Sequence, residues 1–425
     1  MTAEMGLARK RTSLRALGAL AAAASWSVVF AGVAQPAAAA DAQSQQWYLS
    51  AMQAEEMWKV TKGEGIKVAV IDTGVNPNTP TLKGQVLKGF DATGAAGDEN
   101  DDYDGHGTNM AELIAGTGAG GGIKGLAPGA KIIPMRISDT EFQNKNSVNA
   151  RDAEDAIRAA ADSDAKIISM SFGGLYSTKG QRDAVKYAER KGKLFFASVG
   201  NDGAGSNKQQ YPAAYPQVVG VASADENGAV AEYSQSAGTA DIAAPGQKIP
   251  YWCDNSFRSY CNGDGGTSSA TAIASASAAL VWSANPDWTA NQVLNVLFDT
   301  AARDWKKGDR SAFLGHGLIR PSMNLLKGKG DPGDPDISPL TKKRTNAAPA
   351  SPDPSAPPSS GPASPQPARN EGQKGGEGDE AVASGETTKA SGDDGPPLGL
   401  ILGGIAGVAV LGGVVFAVVR RRGTA

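Results

Sequence analysis

Residues 66–74 read IKVAVIDTG, an apolar run rich in β-branched residues that stops at an acid, a threonine and a glycine. A short apolar run closed by turn residues reads as a strand buried on both faces, the pattern of a parallel sheet. Four further runs repeat it: KIIPMRI at Lys131–Ile137, KIISM at Lys166–Met170, LFFASV at Leu194–Val199 and VVGVA at Val218–Ala222. Between them, Ala150–Ala161 and Gln181–Lys191 have the apolar spacing of amphipathic helices. The alternation predicts an α/β fold, a mainly parallel central sheet with helices on both faces. Ligands in such sheets sit beyond the carboxyl ends of the strands, which makes Asp72 the first candidate for chemistry. Taken alone, an Asp before Thr-Gly reads equally well as a turn residue.

Histidine narrows the search, because His106 and His316 are the only two in 425 residues. His106 lies in Asp104-Gly105-His106-Gly107-Thr108, where glycines let neighbours approach the ring, and a helix-like stretch from Asn109 to Ala115 follows. His316 lies in the turn Gly315-His316-Gly317 with no acid or nucleophile nearby. A third feature, Gly265-Gly266-Thr267-Ser268-Ser269, opens an Ala/Ser-rich stretch from Ala270 to Ala284. Small residues all round indicate a helix enclosed by protein, with its free N-terminal N–H groups aimed at whatever Ser268 attacks. The tripeptide Gly-Thr-Ser is also an ordinary helix cap.

Asp72, His106 and Ser268 follow one another in the chain order of the subtilisin triad. Across roughly Trp47 to Leu326 the chain resembles the subtilisin-like serine proteases, the subtilases. The resemblance is carried by VAVIDTGV at Val68, DGHGT at Asp104, SMSFGG at Ser169, ASVGN at Ala197, YPAAYPQVVGVAS at Tyr211, DIAAPG at Asp241 and GTSSA at Gly266. It implies a subtilisin-like three-layer fold and an endopeptidase, with Ser268 attacking the scissile carbonyl, His106 moving the proton and Asp72 orienting the imidazole. It also implies Asn201 as an oxyanion-hole donor beside the Ser268 backbone N–H. Ser171-Phe172-Gly173-Gly174 resembles the segment that pairs with extended substrate backbone. No metal or other cofactor is required by these steps. Two departures stand out. Ser269 and Ala272 replace the Met or Phe and the Pro usual after the nucleophile, so two hydroxyls compete for that role. Asn109-Met110-Ala111-Glu112 replaces a more apolar helix start, bringing an acid to the packing beside His106.

Composition frames the rest. With 41 Lys+Arg against 44 Asp+Glu, the net charge of −3 leaves no basic surplus for nucleic-acid binding. Arg9, Lys10, Arg11 and Arg15 precede an Ala/Leu/Val-rich stretch and small residues up to Ala40, the layout of a signal peptide over residues 1–40. Residues 41–330 then form one extracellular protease domain. From 331 to 397 the chain is rich in Pro, Gly and Ser and predicts a disordered tether. Residues 398–419 carry no charge and are long enough to span a bilayer as a single C-terminal transmembrane helix, with Arg420, Arg421 and Arg422 holding a short tail, 420–425, in the cytoplasm. Signal peptide, protease domain, tether and anchor together resemble the mycosins, membrane-bound subtilases associated with type VII secretion. That resemblance implies polypeptide substrates, a membrane location and the secretion machinery as a partner. The competing reading is a subtilase fold kept as a non-catalytic scaffold at the cell surface.

Other signals are weaker. Gly116-Thr117-Gly118-Ala119-Gly120-Gly121 satisfies a dinucleotide fingerprint but trails a helix instead of leaving a strand, and reads as a loop. Asp98, Glu99, Asp101, Asp102 and Asp104 form an acidic run whose spacing does not fit an EF-hand; a solvated face is the main reading and a structural calcium ion the alternative. Outside the cytoplasm, Cys253 and Cys261 favour a disulfide, contributing ~2.5 kcal/mol by loop closure, with two free thiols as the alternative.

Overall fold

The apolar run at 66–71 becomes β1 (Lys67–Asp72), an interior strand of a seven-stranded sheet in a computed structural model that describes residues 39–138, 152–263 and 265–345. Its companions are β2 (Phe90–Asp91), β3 (Lys131–Arg136), β4 (Ile167–Met170), β5 (Leu194–Ser198), β6 (Val219–Ala224) and β7 (Ile242–Pro245). The order is β2-β3-β1-β4-β5-β6-β7, and every neighbouring pair is parallel. Alternate side chains explain why the strands are apolar throughout. Val68 and Val70 join one buried layer with Leu113, Ile273 and Val293, whereas Ala69 and Ile71 join the other with Ile157 and Val185.

Three short helices, α1 (Ala39–Ser44), α2 (Trp47–Ala51) and α3 (Ala54–Met57), lead into β1. One face of the sheet packs α4 (His106–Ala115), α7 (Thr267–Ala284) and α8 (Ala290–Thr300); the other packs α5 (Asp152–Asp162) and α6 (Lys179–Arg190). α7 is buried almost from end to end, and its Ala/Ser surface lets it run close under several strands at once. A final turn, α9 (Ser322–Leu325), packs on the same side. The subtilisin-like α/β architecture and its parallel sheet are therefore present.

The structure adds elements the sequence did not announce. β7 extends the sheet, and β8 (Pro250–Trp252) pairs antiparallel with β9 (Tyr260–Asn262) in a separate hairpin. Cys253 and Cys261 are joined there, S–S 2.06 Å. α4 begins at His106 itself, not at Asn109, because Gly105 takes φ 92° and turns the loop directly into the helix.

The boundary at 330 is corrected. Residues 331–345 pack back onto α8: Asn295 Nδ2 donates to Pro332 O at 3.0 Å, and Thr289 Oγ1 and Asn291 Nδ2 donate to Pro335 O at 3.0 and 2.9 Å. Leu340 lies against the core. Proline gives up its N–H but keeps an acceptor carbonyl, so a Pro-rich stretch can still be fastened by polar side chains from a helix. The remainder of the tether from 346, the apolar stretch 398–419, the tail 420–425 and the leader up to residue 38 lie outside the described residues. Among the described residues no helix is long and apolar enough to cross a membrane.

Candidate active site

Strand order reverses at β1: β3 lies on one side, and β4 to β7 continue outward on the other. Such a switch point leaves a crevice beyond the strand ends. Asp72 closes β1, Ser171 follows β4, and Asn201 follows β5, so three adjacent strands deliver candidate residues to one edge.

Asp72 is only 4% exposed. Its Oδ1 lies 2.7 Å from His106 Nδ1 and also accepts from Thr73 N at 2.8 Å. The second oxygen, Oδ2, is buried without a protein partner. His106 reaches this acid from the first turn of α4, and the approach depends on Gly107: a Cβ there would stand 2.1 Å from Gly74 O and 3.0 Å from the Asp72 Cβ. Burial pushes the imidazole down, but the Asp72 carboxylate, with Asp104 and Asp102 behind it, overrides that and pushes His106 up to about 9.

The loop ahead of the histidine is a hydrogen-bonded support. Asp102 accepts from Thr73 Oγ1, Gly105 N and Thr108 N, each at 2.8 Å, and from Thr108 Oγ1 at 2.6 Å. It thereby ties the residue after Asp72 to the start of α4. Asp101 Oδ2 accepts from Asp98 N at 2.8 Å and Glu99 Oε1 from Gly89 N at 3.0 Å. These bonds are the local use of the acidic run, and among the described residues no group of three or more His, Cys, Asp or Glu is arranged to hold a metal. Asp102 is the supporting residue missed from sequence. Its trace was an acid ahead of Gly-His-Gly, where side-chain acceptors commonly cap turns.

Ser268 is half-buried in the first turn of α7, whereas Ser269 beside it is 7% exposed and turned inward. The Ser268 hydroxyl lies 3.4 Å from Ser171 O, a long contact, and Ser171 Oγ returns 3.4 Å to Ser268 O. Asn201 Oδ1 accepts from Thr267 N at 2.9 Å and Thr267 Oγ1 at 2.8 Å. Asn201 is thereby fastened through its oxygen to the first turn of α7, where helical N–H groups lack intrahelical acceptors. Asp72 and His106 are thus paired directly, and Ser268, Ser171 and Asn201 are gathered at the ends of the two strands beyond β1.

Phe172 is half-buried and Gly173 exposed after β4. Gly174 differs from the expectation of a substrate-pairing residue: its N–H donates to Tyr211 O and its C=O accepts from Tyr211 N, both at 2.8 Å. The open edge is therefore Ser171–Gly173. His316 stands apart, its ring stacked on Phe298 with centroids 4.1 Å apart; burial and the neighbouring Arg310 and Arg303 push it down to about 4. Glu112 is fully buried yet does not press on His106. It faces Thr79 Oγ1 at 2.8 Å and Tyr260 OH at 3.0 Å, and burial pushes its carboxyl up to about 6 against the pull of these hydroxyls.

The sequence profile of the subtilase family matches residues 63–319. Thermitase of Thermoactinomyces vulgaris is 37% identical over 211 residues, covering 48% of this chain and 72% of that protein. The major intracellular serine protease of Bacillus subtilis is 36% identical over 208 residues, 47% of this chain and 64% of that one. Among solved structures, the MycP3 protease from the type VII (ESX-3) secretion system superimposes with a TM-score of 0.55 at 28% identity, covering 66% of this chain and 87% of its own. MycP1 from Mycobacterium smegmatis gives 0.56 at 26% identity, covering 70% and 88%.

Proposed function

The chain belongs to the subtilase family of serine endopeptidases, and from that premise we propose that it is a membrane-anchored, extracytoplasmic protease of the mycosin kind, acting on polypeptides handled by a type VII secretion system. The observation that carries the catalytic part is the Asp72–His106 pair at 2.7 Å, set at the sheet edge where Ser268 opens α7. In this reading His106 takes the proton of the Ser268 hydroxyl as Oγ attacks the scissile carbonyl, and later gives it to the leaving amine. Asp72 holds the imidazole in the tautomer that leaves Nε2 free to accept, and stabilises its cation. The oxyanion rests on the Ser268 N–H and the Asn201 amide; removing such a side-chain donor costs ~10²- to 10³-fold in turnover. The substrate strand lies along Ser171–Gly173, where Phe172 borders the pocket for the residue before the cut. Ser268 is the nucleophile in preference to Ser269 because it is half-buried with its hydroxyl 3.4 Å from Ser171 O, whereas Ser269 is 7% exposed. No metal or other cofactor takes part in these steps. The anchor is residues 398–419, with Arg420–Arg422 inside, and the mycosin likeness of the fold supports the secretion role.

One experiment tests both parts. A fluorophosphonate probe applied to intact cells labels the wild-type protein in the membrane fraction and fails to label Ser268→Ala, while deletion of 398–425 moves the labelled species to the soluble fraction. Absence of wild-type labelling in folded protein supports the non-catalytic scaffold instead, and labelling that stays in the membrane fraction after the deletion removes the anchor.

A further inference from the structure

The β8–β9 hairpin is joined to both catalytic helices, by covalent chain to one and by hydrogen bonds to the other. After Asn262 the sequence continues through Gly263, Gly265 and Gly266 to Ser268. On the sheet side this segment is held by Gly266 N donating to Gly246 O at 2.8 Å. On the other side the hairpin grips α4. Trp252 N donates to Asn109 Oδ1 at 2.7 Å, Tyr260 OH donates to Glu112 Oε2 at 3.0 Å, and Asn255 Nδ2 donates to Tyr103 O at 2.6 Å, just ahead of the Asp-Gly-His turn. Asn109 and Glu112 are both buried. The hairpin itself is stiff: the Trp252 and Tyr260 rings stack at 3.8 Å, Phe257 meets Trp252 edge-on at 5.9 Å, and Cys253–Cys261 closes the loop.

We propose that Tyr260 and Glu112 are positioning residues for hydrolysis: their hydrogen bond locks the disulfide-closed hairpin to α4 and so sets the approach of Ser268 to His106. The inference rests on the serine-protease reading above. A rigid link matters here because misplacing reacting groups by about 1 Å costs on the order of 10²-fold in rate. Tyr260→Phe keeps the ring stack and deletes one hydroxyl, which makes it the informative variant.

The test measures kcat and KM on a peptide substrate, the fluorophosphonate labelling rate, and the melting temperature of each variant, with all kinetics run well below that temperature. Tyr260→Phe is expected to lower kcat and the labelling rate together by roughly tenfold, with KM held within about twofold. Glu112→Ala carries the same loss, and Glu112→Gln, which keeps an acceptor of the same shape, restores kcat. Folded Tyr260→Phe with wild-type kcat and labelling overturns the proposal, as does a loss confined to KM. Should Glu112→Ala fail to fold, Tyr260→Phe and Glu112→Gln decide alone. If wild-type protein is neither labelled nor active, the serine-protease reading fails and the proposal falls with it; if wild type is active and Tyr260→Phe equals it, only the proposal falls.

Discussion

At the scale of single residues, the Asp72–His106 pair has a consequence for pH. A general base works only when neutral, and the surrounding carboxylates hold His106 in its protonated form up to about 9. The acidic limb of kcat/KM is therefore expected to rise with a midpoint near pH 9, well above the ordinary histidine value of about 6.5. Asp104→Asn removes one of the charges that raise it and should move the midpoint down. A wild-type midpoint near the ordinary value, unmoved by Asp104→Asn, would show that this electrostatic picture is wrong. The same carboxylates illustrate how far the sequence could be read. Asp72 and His106 were legible from strand ends, glycine context and rarity, but Asp102 read as surface charge. Its bonds to Gly105 and Thr108 are local to the turn before α4, but the bond from Thr73, which ties that turn to the residue after Asp72, exists only once β1 and α4 have been brought side by side.

Among the elements, α7 shows how size governs packing. Ala278 is fully buried in a helix built largely of alanine and serine. A larger side chain adds apolar surface yet has no space to enter, so Ala278→Leu should destabilise by roughly 1–3 kcal/mol although leucine is the more hydrophobic residue. Urea unfolding measures this; an unchanged or higher midpoint would mean that α7 is packed loosely enough to absorb the change. The enclosed helix was readable from its composition. The β8–β9 hairpin was not, because its strands are three residues each and its stability comes from a disulfide and a ring stack between residues far apart in the periodic pattern.

On the scale of the whole molecule, the packed chain continues through residues 331–345. A protein ending after Thr345 should melt as the longer one does. Ending it after Gly330 removes Pro332 and Pro335 as acceptors for Asn295, Thr289 and Asn291 and uncovers the core beside Leu340. The expected loss is about 1–3 kcal/mol, read as a fall of a few degrees in melting temperature. Equal melting of the two truncations would show that the segment contributes nothing. Composition misplaced this boundary because a count of prolines reports what a chain cannot do by itself, and says nothing of the acceptors it offers to a neighbouring helix.

By itself the sequence determined the parallel strands and the enclosed helix, and it singled out Asp72, His106 and Ser268 as candidates, since each is announced by a local pattern of apolar runs, glycines and small side chains. Tertiary structure alone decided that partners 34 residues apart would meet at 2.7 Å, that Ser268 would face Ser171 across 97 residues of chain, and that a hairpin would hydrogen-bond to the helix that carries His106. The physical reason is that local periodicity sets which face of an element is buried, whereas the hydrogen bonds between elements depend on strand order, and strand order is settled only when the whole sheet closes its core.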